Sequence, residues 1–184
     1  MTQVDAFTIP MLAKVDEKDG SGGATYLNQN GTTMGRDEIW SLWDETVPGQ
    51  FLGLKNEYRI NAPCKDPSGF GLSAPNAAYY NSYVDQIWNQ YRTQDLAFSM
   101  YWDGATYTYT GRVQGEAFVF SGPGRQNCVA VARKPNATEI FEASGVLATG
   151  NTEEGAIQAR IAAAFNRHVM ENSSIWGDPE SFYQ

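Results

Sequence analysis

Apolar residues recur along this chain with two periods, and the places where the period switches mark its elements. Between Thr33 and Thr46, Ile39, Trp40, Leu42 and Trp43, with Val47 just beyond, fall on one side of a short helix. Asp37 and Glu38 stand near the positive N-terminus of that helix, and Pro48-Gly49 ends it. A second helical pattern has Asn76 as its cap and Tyr80, Tyr83, Val84, Ile87, Trp88 and Tyr91 at the spacing that buries one face. A third runs from about Glu153 to Glu171, with Asn151 and Glu154 spaced as a capping box and Ile157, Ile161, Phe165 and Val169 along its stripe. Aromatic rings at these spacings read first as core.

From Leu96 to Arg133 the period falls to two. Segments at Ala97 to Trp102, Thr106 to Val113, Glu116 to Phe120 and Cys128 to Arg133 are punctuated by Asp103-Gly104 and Gly122-Pro123-Gly124, the pattern of an antiparallel meander. Phe51 to Ala62 has strand character around Tyr58-Arg59-Ile60, and Pro63 to Gly69 reads as a loop. The opening run Thr2 to Met11 reads as the end of a strand, followed by a turn at Lys18-Asp19-Gly20-Ser21-Gly22-Gly23. Three main helices and a meander in irregular alternation give an α+β fold rather than a doubly wound one.

Charge narrows the function. Twenty-one acidic against thirteen basic residues leave a net charge of -8 with a pI near 4.6, and no Lys/Arg cluster is present to meet a phosphate backbone. Nucleic acid is therefore not the expected partner. No apolar run reaches the length of a membrane span, and the first residues carry no basic and hydrophobic leader. Cys64 and Cys128 are one bridge or two thiols. The single histidine, His168, sits near a helix C-terminus with no paired Ser or Cys, and one His with two distant Cys makes no zinc cluster. The Gly20 to Gly23 and Gly122 to Gly124 runs do not precede helices in a phosphate-cradling arrangement. Asn30-Gly31-Thr32, Asn136-Ala137-Thr138 and Asn172-Ser173-Ser174 match the N-glycosylation acceptor pattern, which also arises readily by chance.

Four stretches carry a resemblance. They are Val4-Asp5-Ala6-Phe7-Thr8-Ile9-Pro10-Met11; Tyr79-Tyr80-Asn81-Ser82-Tyr83-Val84-Asp85-Gln86-Ile87-Trp88; Thr110-Gly111-Arg112-Val113 with Phe118-Val119-Phe120; and Ile140 to Leu147 followed by Gly155 to Arg167. In this order they resemble glycoside hydrolase family 64, β-1,3-glucanases related to thaumatin-like proteins. The chain departs from that family in having Ala143-Ser144-Gly145 where a Cys-Asp-Gly turn is common, and Ala162 where the last helix often has Cys. The resemblance therefore implies that a structural disulfide of the family is absent here.

The resemblance implies a domain plan: residues 1–18 as the terminal strand of a thaumatin-like barrel and 19–184 as the α+β domain, both ends cut from a longer secreted parent. It also implies chemistry. Glycoside hydrolysis needs one carboxylic acid to protonate the leaving oxygen and one carboxylate to activate water. Asp5 would be the general base of an inverting pair, its Glu partner lying on a preceding strand upstream of Met1. Thr2, three residues before it, would contact the glucan; because neighbours on a straight strand alternate faces, both reach one ligand only where the strand bends. Trp102, beside the Asp103-Gly104 turn, is the candidate ring for stacking on a glucose unit. The other acids weighed, Asp85, Asp103, Glu57 and Glu116, read as solvated helix, turn or strand residues. The implied partner is a β-1,3-glucan of the laminarin or curdlan type, bound by a monomer with no cofactor. The rival reading is a non-catalytic β-1,3-glucan-binding thaumatin-like protein.

Overall fold

The computed structural model describes residues 6–18, 25–122, 125–150 and 153–177, and the chain divides into two compact units between Gly69 and Phe70. In the first, strand β1 (Ala6–Phe7) leads to a hairpin of β2 (Leu12–Lys18) and β3 (Thr25–Gly31), held in register from Leu12 opposite Gly31 to Lys18 opposite Thr25. At the open end of the hairpin Gly31 has φ 132°, and a Cβ there would sit 2.0 Å from the Met11 carbonyl oxygen, so only glycine fits. β3, sequence Thr-Tyr-Leu-Asn-Gln-Asn-Gly, has little apolar alternation and was not visible as a strand.

Helix α1 (Arg36–Thr46) follows, close to the predicted span. The apolar run after it differs from expectation: Gly49–Leu54 is a 3₁₀ turn, and only Ile60–Asn61 of the expected strand forms β4, which pairs with β1. Glycines 49 and 53 weaken the run as a strand, while a tight turn still buries Leu54. A short helix α2 (Pro67–Phe70) replaces part of the expected loop at the boundary of the units.

In the second unit, α3 (Asn81–Thr93) begins later than its predicted cap, because Asn76 sits in a series of single turns before Tyr80 takes the N-cap position. β5 (Leu96–Trp102), β6 (Ala105–Gln114), β7 (Ala117–Gly122) and β8 (Arg125–Val131) form the expected meander, a four-stranded antiparallel sheet in sequence order. Its inner face alternates as the pattern requires, with Leu96, Phe98, Met100, Tyr109, Val113, Phe118 and Phe120 buried. α3 packs on β6 and the last helix on β8. Trp88, Phe118 and Phe165 meet at the centre: the Trp88 ring lies edge-on to Phe118 at 5.7 Å and near-parallel to Phe165 at 6.4 Å.

Helix α4 (Ala137–Glu142) was unanticipated, yet its signal is in the sequence. Asn136, the first residue of one acceptor triplet, is its N-cap: the side chain accepts from the Glu139 N–H at 2.9 Å, and the Glu139 carboxylate accepts from the Asn136 N–H at 3.0 Å, a complete capping box. Helix α5 (Glu153–Asn166) stops short of the predicted Glu171. His168 adopts φ 53°, and the Val169 and His168 N–H groups turn back to the carbonyls of Ala164 and Phe165, a Schellman end built without glycine. Val169 is still fully buried, so the apolar stripe continues after the helix has ended.

Candidate functional site

Two of the three predicted site residues, Thr2 and Asp5, lie outside the described residues. Immediately after them Phe7 is half-buried, its ring 6.0 Å from Trp40, and Ala6 and Phe7 pair with Asn61 and Ile60.

Trp102, the third, closes β5. Inner-face positions along that strand are Leu96, Phe98, Met100 and then Trp102, so the ring points to the core side at the end of the sheet. The two-residue turn beyond it has Asp103 at φ 45° and Gly104 at φ 85°, the twist that matches paired strands. Trp102 therefore packs partly on the core and leaves the rest of its ring on the wall of an open groove of about 410 Å³. Apart from Leu147, the rest of its lining is small: Ala143, Ala148, Gly150, Gly155, Ala156 and Ala159. A flat ring facing shallow apolar surface suits the C–H face of a sugar.

The groove is held by polar groups that the sequence did not single out. Gln158, on α5, is buried, donates to the Thr149 hydroxyl at 2.7 Å and to the Ala130 carbonyl, and accepts from the Gly150 N–H at 2.9 Å. One side chain thus ties β8, the loop to α5 and the helix together. The Tyr109 hydroxyl donates to Glu153 at the start of α5. Gln158 sits on the helical stripe next to Ile157, where a lone polar residue at a core position is the readable signal.

No described carboxylate is arranged as a proton donor next to Trp102. Glu139 is buried, and although burial alone raises its pKa, the Arg133 guanidinium at 2.8 and 2.9 Å and the N–H groups of Asn136 and Val146 hold it below the usual carboxylate range. It is a charged structural hub. Asp85 pairs with Lys134 at 2.6 Å, Asp103 occupies the hairpin turn, and Glu57 and Glu116 are exposed, their backbone carbonyls accepting from Arg36 and from the Trp88 indole respectively.

A second polar cluster surrounds the end of α5. The Tyr83 hydroxyl donates to Glu171 at 2.6 Å and accepts from the Met170 N–H at 2.9 Å; burial, then the Glu171 hydrogen bond, raises it far above the phenol range. Burial and the Glu171 charge push Tyr91 up to about 12. His168 stacks on Tyr80 at a ring separation of 5.2 Å and lies tilted against Tyr83 at 4.5 Å, and burial lowers its pKa against the opposing charge of Glu171. These groups fix the chain turn after α5.

Among the described residues no group of three or more His, Cys, Asp or Glu side chains could hold a metal ion, and no helix is long and apolar enough to cross a membrane. The Cys128 side chain is outside the described set, so its relation to Cys64 is too.

Comparison with known proteins places this architecture. Over its whole length the chain is similar to the glucan endo-1,3-beta-glucosidase of Cellulosimicrobium cellulans, 31% identical over 194 aligned residues, and to that of Arthrobacter sp. (strain YCWD3), 30% identical over 190. It spans 33% of the length of each. A crystal structure of a β-1,3-glucanase domain from Clostridium beijerinckii, 34% identical, matches all of the chain with a TM-score of 0.79 and is itself covered to 46%. A laminaripentaose-producing β-1,3-glucanase solved with laminaritetraose, 23% identical, shares the fold at a TM-score of 0.71, the chain covering 50% of it. The model of the family described as beta-1,3-glucanase matches residues 1–184, and the chain belongs to glycoside hydrolase family 64.

Proposed function

We propose that this chain forms part of an endo-β-1,3-glucanase that cleaves laminarin- or curdlan-type glucan outside the cell by inversion. The observation that carries this reading is the family match across all 184 residues, together with relatives named glucan endo-1,3-beta-glucosidase. Residues 1–18 are assigned to the end of a thaumatin-like barrel, residues 19–184 to the α+β domain, and the protein acts as a monomer without a cofactor. Asp5 serves as general base, removing a proton from the water that attacks the anomeric carbon. A Glu from outside these 184 residues serves as general acid, protonating the leaving oxygen. Inversion requires the two carboxyl groups to stand roughly 6.5–9.5 Å apart so that the water fits between sugar and base. Thr2 contacts the glucan near Asp5, and the exposed part of Trp102 stacks on a glucose unit.

Because an acid–base pair acts as a unit, the purified 184-residue chain is expected to release no oligosaccharides from curdlan or laminarin above background. Rapid release would remove the acid from outside the chain. In the protein carrying that acid, Asp5→Asn is expected to lower turnover by about 10²–10⁴-fold with the fold intact. Near-normal turnover would take Asp5 out of the site. NMR of the first-formed product distinguishes the mechanism: an α-anomer supports inversion, a β-anomer retention.

A further inference from the structure

The four-stranded sheet buries one face and leaves the other open, and the open face has an unusual composition. Its outward residues on β5 and β6 meet in cross-strand pairs: Tyr101 opposite Thr106, Ser99 opposite Thr108, and Ala97 opposite Thr110, with Ser121 of β7 next to Thr110. None of these carries a charge, in a chain whose net charge is -8. Tyr101 is 70% exposed, among the most exposed large rings described. The Ser99 and Thr108 hydroxyls are 2.9 Å apart, and Ser121 donates to the Thr110 carbonyl at 3.3 Å. At the far end Arg112 donates to Asp95 at 2.7 Å, both side chains about half exposed, beside a hollow of about 220 Å³. From Thr106 to Arg112 the row extends roughly 20 Å.

Each feature suits a neutral polyhydroxylated chain. An exposed phenol ring offers a face for sugar C–H groups, a row of hydroxyls offers donors and acceptors, and an ion pair already neutralised can grip adjacent hydroxyls without attracting anions. A nucleic acid would want unpaired cations, and a protein interface of stable size would want a wider apolar centre than the Val119–Val129 pair that this face carries on β7 and β8. We propose that this open sheet face is an accessory binding surface for β-1,3-glucan, separate from the groove beside Trp102 on the opposite side of the sheet. The assignment of β-1,3-glucan as ligand rests on the function proposed above.

The test is retention of the 184-residue chain on insoluble β-1,3-glucan particles, compared among the wild type, Tyr101→Ala and Arg112→Gln. Tyr101→Ala is expected to lose about fivefold or more in retention and Arg112→Gln about two- to threefold, with unchanged circular dichroism and melting temperature because both side chains are exposed. Unchanged retention in Tyr101→Ala, with the wild type bound, overturns the accessory surface and leaves the glucanase reading standing. A wild type that binds no β-1,3-glucan overturns the accessory surface and leaves the glucanase reading to the product assay above. Loss of self-association in Tyr101→Ala with retention unchanged would make the face a protein contact instead, and would also overturn the proposal.

Discussion

Helices α1 and α3 carry aromatic pairs at the same spacing, Trp40 and Trp43 in one, Trp88 and Tyr91 in the other, yet they sit at different depths. Trp88 and Tyr91 are buried under the sheet, whereas α1 has no buried residue and both its tryptophans are only partly buried. The reason is what each helix can pack against. α3 lies on a four-stranded sheet with α5 beside it in the same core, while the described residues of the first unit form two small two-stranded sheets. A two-stranded ribbon has little face to offer a helix.

Polar links help to hold α1 in the first unit. Arg36 lies over the Trp40 ring at 4.0 Å and donates to the Glu57 carbonyl; the Trp40 indole donates to the Asn56 carbonyl at 2.9 Å; Lys55 reaches both Asp44 and the Trp40 carbonyl. Asn56 in turn accepts from the Tyr58 and Arg59 N–H groups at 2.8 and 3.0 Å, an Asx turn that aims the chain into β4. The Trp43 indole N–H, although buried, has no hydrogen-bond partner among the described residues. Helical periodicity thus reports which side of a helix faces inward, and the layer above it decides how far.

Paired truncations test that contrast most directly. Trp88→Ala is expected to cost about 3–5 kcal/mol, because it empties the centre of the core and leaves the Glu116 carbonyl without its indole donor. Trp43→Ala should cost roughly 1–2 kcal/mol, since less area is covered and an unpartnered N–H is removed with the ring. Urea denaturation with separate fluorescence and hydrogen-exchange readouts for the two units measures both. Equal costs would mean that α1 is as firmly cored as α3.

Next in size is the Glu139 hub. Glu139→Ala is expected to cost about 2–3 kcal/mol, below the range for a fully buried ion pair because the Arg133 side chain is 52% exposed. It removes an ion pair, half of a capping box and the acceptor for the Val146 N–H. Because the folded pKa of Glu139 is lowered from 4.5, its contribution is complete above that value and is lost as pH falls through the folded value. Stability curves of wild type and Glu139→Gln should therefore converge in acid; a constant gap down to pH 2 would deny the charge its role.

His168 produces a smaller pH effect. Its folded pKa is depressed from 6.5, so the unfolded chain binds the proton first. The stability it contributes is intact above about pH 6.5 and falls as pH drops from there through the folded value. His168→Gln should flatten that part of the curve, as read by melting temperature between pH 7 and 5; an unaltered slope would assign it elsewhere. Smallest is Asp44→Asn. Its partner Lys55 keeps the Trp40 carbonyl and Asp44 is 58% exposed, so the expected change is under about 1 kcal/mol and shrinks in salt. A loss above 2 kcal/mol would show that this ion pair stabilises the first unit as the core stabilises the second.

The sequence by itself determined the parts whose rules are local. The meander from Leu96 was legible because alternation with turn residues is written into adjacent positions, and Asp103-Gly104 tolerates the positive φ that its turn needs. α3 and α5 were legible because their apolar stripes are long. The family was legible because ordered stretches such as Tyr79 to Trp88 carry more information than composition does. What escaped depended on distant partners. β3 is a strand because β2 supplies its hydrogen bonds, not because Thr25 to Gly31 prefers to be one. α5 ends at a Schellman turn on His168, where no glycine marks the stop. The place of Trp102 beside a turn is legible, but the groove next to it depends on Gln158 holding Thr149 and Gly150 and on the small residues Gly155 and Ala159 in its lining. Those arrangements join residues far apart in the chain or read as ordinary helix, so only the folded chain could bring them together.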